Sequence, residues 1–188
     1  MNFLKRIKYN SPVILTFTFL SLAALFLNWI TKGIANELVF SVYRSPLTDI
    51  LFYVRLVGHI IGHANWTHFY SNFLIILLIG PMLEEKYGSK NMLIMIVFTA
   101  VITAILNLAF FDTGLLGASG IAFMLILLSS FTNLEKGTIP FTFLLVAGTY
   151  IGGEIYNMVF ISDNISQITH IVGGICGAGF GYWLNRIK

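Results

Sequence analysis

Charge is what this chain has least of. Asp, Glu, Lys and Arg make up 10% of its 188 residues, against about 25% in an ordinary soluble domain. Apolar residues fill the deficit at 57%, and a chain of this length cannot hide so much apolar surface in water. Cysteine is nearly missing too. Cys176 stands alone inside an apolar run, which excludes a disulfide framework. No basic run exists beyond Lys5-Arg6-Ile7-Lys8, so the formal charge of +3 does not indicate nucleic-acid binding. Internal repeats and low-complexity segments are absent as well. What these shortages leave is an integral membrane protein.

The first apolar run, Pro12 to Ile30, follows basic residues as a signal peptide would. It is too long for an h-region, lacks a small-residue cleavage site, and is followed by five more runs. Crossing the hydrocarbon takes about 20 residues. Six segments meet or approach that length, at 12–31, 66–83, 92–111, 115–132, 139–160 and 165–184. They predict one all-α domain over residues 1–188, a bundle of six transmembrane helices. The connection 32–65 is long and carries Tyr43, Phe52 and Tyr53, which predicts an interfacial segment. The other connections, Glu84–Asn91, Asp112–Gly114, Asn133–Thr138 and Ser162–Asn164, are short.

Charge placement predicts the orientation. With the N-terminus inside, Lys5, Arg6, Lys8, Lys86, Lys90, Lys136, Arg186 and Lys188 face the cytoplasm, and only Lys32, Arg44 and Arg55 face outward. This bias puts both termini in the cytoplasm. Spans two, four and six then run inward, and their polar residues lie near their starts: His68 and Asn72, Ser119, and His170. At 1.5 Å per residue each sits within about 10 Å of the outer interface. Potentially reactive groups from three helices therefore share one shallow layer.

Gly117-Ala118-Ser119-Gly120 opens the fourth span. A serine at a helix start sits beside free backbone N–H groups and the positive end of the helix dipole, which suits a developing oxyanion. Taken alone, the pattern also fits a small-residue packing patch. In the sixth span Gly173, Gly177 and Gly181 share a face, with His170 one turn earlier on it, so the imidazole is directed at a neighbouring helix. The bland alternative is a structural histidine bonded to backbone. His68 and Asn72, spaced i,i+4, point one way and offer neutral donors; such a pair also caps or bridges helices. Together these parts make a serine, a base and oxyanion donors. With no carboxylate near His170 in sequence, the pair is a Ser–His dyad, and Phe123, one turn after Ser119, offers a surface for the imidazole.

Six spans, His63, His68 and Asn72, the Gly117-x-Ser119-Gly120 motif and His170-x-x-Gly173-Gly174 resemble the rhomboid family of intramembrane serine proteases in its minimal six-helix form. The resemblance implies Ser119 as nucleophile and His170 as general base. It implies an oxyanion site of Asn72, His68 and the Ser119 N–H beside Gly117, and a first loop lying partly in the outer leaflet. Arg55, His59 and His63 would be structural residues of that loop, and the Gly173/Gly177 stripe would pack span six on span four. It also implies transmembrane protein substrates entering between spans two and five, cleavage after a small residue, a lipid environment, no nucleic acid, and no cofactor or metal. For a bacterial chain, the location is the inner membrane. Three positions depart from the family's habit: Val54 before Arg55, Thr169 before His170, and Met124 after Phe123.

Other residues invite competing readings. His59, His63 and His68 have metal-like spacing but no acidic partner, and the His-Glu-x-x-His pattern is absent. Asp112 falls in an outer loop as a solvated carboxylate rather than a third catalytic member. Glu154, the one acid expected inside a span, reads as a snorkelling or loop-paired group. The rival functions are a non-catalytic, client-binding relative and a small histidine-lined transporter. The second would place ionisable groups at mid-membrane depth, where this chain has none.

Overall fold

The computed structural model describes residues 8–132, 138–160 and 167–186. All of its extended elements are helices: α1 (Pro12–Ile30), a π-helical turn (Asn36–Phe40), α2 (Ile50–Gly58), α3 (Trp66–Tyr87), α4 (Ser89–Phe110), α5 (Ser119–Ser129), α6 (Phe141–Phe160) and α7 (Gln167–Arg186). Among the described residues the only β pairing is a single bridge between Val42 and Leu115. Three helices among the described residues, α1, α3 and α4, are long and apolar enough to cross a membrane. Many of their large side chains point outward, including Phe19, Trp29, Leu78 and Phe98. Water would not tolerate such a surface on this scale; lipid does.

Local sequence explains where the helices begin and end. Pro12 opens α1 at a position where a missing N–H costs nothing. Asn65 caps α3 by accepting the His68 N–H at 2.9 Å, and Asp49 caps α2 through the Leu51 N–H at 3.0 Å. Between α3 and α4 only Gly88 intervenes, at φ 83°, a left-handed geometry that glycine adopts without strain. The expected connection Glu84–Asn91 is therefore corrected. Glu84, Glu85, Lys86 and Tyr87 are helical, and Pro81 is carried inside α3.

This correction gives Glu84 a role. Its carboxylate is buried and accepts the N–H groups of Val13 (3.0 Å) and Ile14 (2.9 Å) and the Ser89 hydroxyl (2.7 Å). An anion at the start of α1 satisfies orphan donors and complements the dipole. It also staples α1 to the end of α3.

At the centre stands α5. Its 11 residues span about 16 Å at 1.5 Å per residue, too short to cross about 30 Å of hydrocarbon. Gly120–Ala122 and Met124–Leu128 are all buried. A helix apolar on every side belongs in the middle of a bundle. The expected fourth span, 115–132, is thus trimmed at both ends. Leu115 pairs with Val42 of the first loop, with both N–H···O distances at 2.9 Å, and the helix begins only at Ser119.

Helix α7 lies against α5 through its glycines. A Cβ at Gly173 would fall 2.1 Å from the Gly120 carbonyl oxygen, and one at Gly177 would fall 2.1 Å from that of Met124. Only hydrogen side chains permit so close an approach. The expected packing of this stripe on the fourth segment is what the fold contains.

The first loop is anchored through Arg55, with Val54 before it. Arg55 is buried and donates to the Leu38 carbonyl (2.8 Å), the Ser45 hydroxyl (3.2 Å) and Asp49 (2.9 Å), with its guanidinium over the Tyr43 ring. Leu47, Ile50, Tyr53 and Val54 remain exposed on the same loop, which is the surface expected of an interfacial segment. Asp112 is exposed as expected but not merely solvated, for it pairs with Arg44, which also donates to the carbonyls of Leu108 (2.7 Å) and Ala109 (3.2 Å). The side chain of Glu154 and the connections around 133–137 and 161–166 lie outside the described residues.

Candidate active site

Ser119 is the first residue of α5 and is only partly exposed. Two bonds from the first loop hold the residues just before it. The Gly117 N–H donates to the His59 carbonyl at 2.9 Å, and the Ala118 N–H donates to His63 Nε2 at 3.4 Å. His63 donates from Nδ1 to the Ile61 carbonyl at 3.1 Å, so one neutral tautomer satisfies both contacts. His59 is bonded likewise, with Nδ1 3.2 Å from the Arg55 carbonyl and Nε2 3.4 Å from the Thr103 hydroxyl. Burial pushes both imidazoles down to about 4. These two are held neutral as structural parts.

Gly117 needs to be glycine for two reasons. Its φ is +125°, and a Cβ there would lie 2.6 Å from His68 Cε1 and 2.7 Å from its Nε2. The His68 ring therefore lies against the loop that leads into Ser119. Asn72, one turn along α3 from His68, is 6% exposed and its Nδ2 has no hydrogen-bond partner. Among the described residues no protein acceptor meets the Ser119 N–H, and no hydrogen bond reaches the His68 ring.

His170 is buried on α7. Its imidazole lies flat on the Phe123 ring, with centroids 4.5 Å apart and planes 6° from parallel. Tyr150 of α6 meets the other edge of Phe123 in a T-shaped contact at 5.5 Å. Phe123 is four residues after Ser119 and so shares its face. Thr169, the departure before His170, packs on Gly120, its methyl 3.2 Å from where a Cβ would be.

The structure thus gathers Gly117, Ser119 and His68 at the head of α5, with Asn72 on the His68 face of α3 and His170 on the Phe123 face of α5. No group of three or more His, Cys, Asp or Glu side chains suited to a metal occurs among the described residues. The sequence reading missed the His63–Ala118 bond, the Tyr150 contact and the Glu84 cap. Each joins distant residues, and no local pattern marks them.

An all-α integral membrane protein with a serine at the head of its most buried helix defines a narrow class. A family model for the rhomboid domain matches residues 52–187. The chain belongs to the rhomboid family, whose members are generally intramembrane serine proteases and include inactive relatives. No curated protein matches the chain.

Proposed function

We propose that this protein is an active intramembrane serine protease of one domain, residues 1–188, with six membrane-embedded helices and both termini cytoplasmic. Ser119 Oγ attacks the scissile carbonyl of a transmembrane substrate near the outer face. His170 takes the serine proton and returns it to the leaving amine. The oxyanion of the tetrahedral intermediate rests on Asn72 Nδ2, the His68 ring and the Ser119 N–H. Water then adds to the acyl-enzyme with His170 again as base, which restores the serine.

The observation that carries this reading is the set of unfilled donors. The Asn72 amide is buried without a partner, an arrangement that costs about 1–3 kcal/mol and needs a reason. The His68 ring, one turn earlier on α3, and the Ser119 N–H are also without a hydrogen-bond partner among the described residues, while the Gly117 and Ala118 amides are both satisfied. Donors kept open around a serine are what a transition-state oxyanion requires. Lateral entry between α3 and α6 is supported by the packing: α6 rests on α7 and touches α5, and among the described residues it makes no contact with α3.

Fluorophosphonate labelling in detergent tests the reading. Wild-type chain is expected to label, and Ser119→Ala and His170→Ala are not. Failure of the folded wild type to label would leave the client-binding alternative, and labelling that survives Ser119→Ala would remove Ser119 from the chemistry.

A further inference from the structure

One residue of the first loop carries two separate costs. Asn36 begins the π-helical turn Asn36–Phe40, a rare conformation found disproportionately at functional sites. It is also 8% exposed with its Oδ1 left without a partner. A leucine, with the same branching of heavy atoms, would remove the unsatisfied acceptor. Stability is thus a poor reason for an asparagine here, and the direction of its amide is a better one.

That amide points at the site. Asn36 Nδ2 donates to the His63 carbonyl at 2.9 Å, and the Asn36 N–H is itself fixed on Asn28 Oδ1 of α1 at 3.0 Å. His63 Nε2 in turn accepts the Ala118 N–H, one residue before Ser119. A continuous chain of hydrogen bonds therefore runs from the outer end of α1 through the first loop to the residue preceding the nucleophile. We propose that Asn36 is a positioning residue, holding His63 so that His63 holds the Ala118 amide and sets the direction of the Ser119 hydroxyl and N–H. The inference rests on Ser119 being the nucleophile. Burial keeps His63 neutral, the state in which Nε2 accepts a proton donor.

The test uses the full chain in detergent, with the second-order rate of fluorophosphonate acylation and the thermal unfolding midpoint measured on each variant. Asn36→Leu is expected to shift the unfolding midpoint little, since it removes an unsatisfied acceptor together with one hydrogen bond, yet to acylate about tenfold more slowly or worse, since small displacements of a reacting group are costly. In a His63→Ala background the same substitution should change acylation little, because the two residues act in series. Should Asn36→Leu fail to fold, Asn36→Ala, which removes the donor without adding a charge, is read in its place. Unchanged acylation, a parallel loss of acylation and stability, or an undiminished effect in the His63→Ala background would each overturn the proposal. A folded wild type that does not label fails on Ser119 itself, a result distinct from these three.

Discussion

The imidazole of His170 lies parallel to the ring of Phe123, 4.5 Å away, so the helix that begins at Ser119 also supplies the surface on which His170 rests. In the proposed dyad, which has no carboxylate, this contact would take the orienting part. Aromatic stacking is worth about 0.5–1.5 kcal/mol beyond simple burial. Phe123→Leu should therefore slow acylation roughly two- to tenfold with little change in KM. A change confined to KM would mean that Phe123 touches substrate rather than the base.

Asn72→Ala removes one proposed oxyanion donor. Turnover should drop about 10²–10³-fold, or about 2.7–4 kcal/mol. Thermal stability should hold, because the amide has no partner to lose. Unaltered turnover of a cleavable transmembrane peptide would take Asn72 out of the site.

Two glycine substitutions should behave oppositely. Gly177→Ala places a methyl 2.1 Å from the Met124 carbonyl oxygen and must push α7 off α5; overpacking of this kind costs about 1–3 kcal/mol or more. Gly152→Ala on α6 meets nothing within 4 Å and should raise stability by roughly 0.5–1 kcal/mol. Unfolding midpoints in detergent report both, and equal effects would contradict the packing.

Glu84→Gln leaves one of the α1 donors facing an amide in place of a carboxylate. Hydrogen bonds to a charged group are worth about 1.5–3 kcal/mol, so a loss of that order in unfolding free energy is expected, and Glu84→Ala should lose more. A near-zero effect of both would show that α1 docks without its cap.

Acid should destabilise the protein through its first loop. Burial, with the nearby His68 ring adding to it for His63, holds His59 and His63 at about 4 against 6.5 for a free imidazole. Between those values the unfolded chain binds more protons than the native one, so stability is full above about pH 6.5 and declines as pH falls toward about 4. Thermal unfolding followed across that range checks the sign, and His63→Gln should flatten the dependence.

Much of this was legible in the residues themselves. Apolar runs place helices because backbone groups in lipid must bond within their own segment, whatever the neighbours are. The expected starts of α1 and α3, at Pro12 and Trp66, stand where their helices begin. The glycine stripe of α7 and the i,i+4 pair His68/Asn72 follow from helical periodicity alone. Less accessible were the ends of helices whose chemistry changes mid-element. Glu84, Glu85 and Lys86 look like a loop because charge is costly in lipid, yet Glu84 is buried and repaid by two backbone donors of α1.

By itself, then, the sequence determined the class of protein, the approximate places of its apolar helices, and which residues have reactive chemistry, since each depends on composition or on a period of a few residues. Only the tertiary structure decided that α5 is short and central, that His170 lies on Phe123, that His59 and His63 grip the loop before Ser119, and that the Asn72 amide stays open. Those are meetings between segments far apart along the chain. Their geometry is set by how closely the helix backbones approach, and no local stretch of residues encodes that distance.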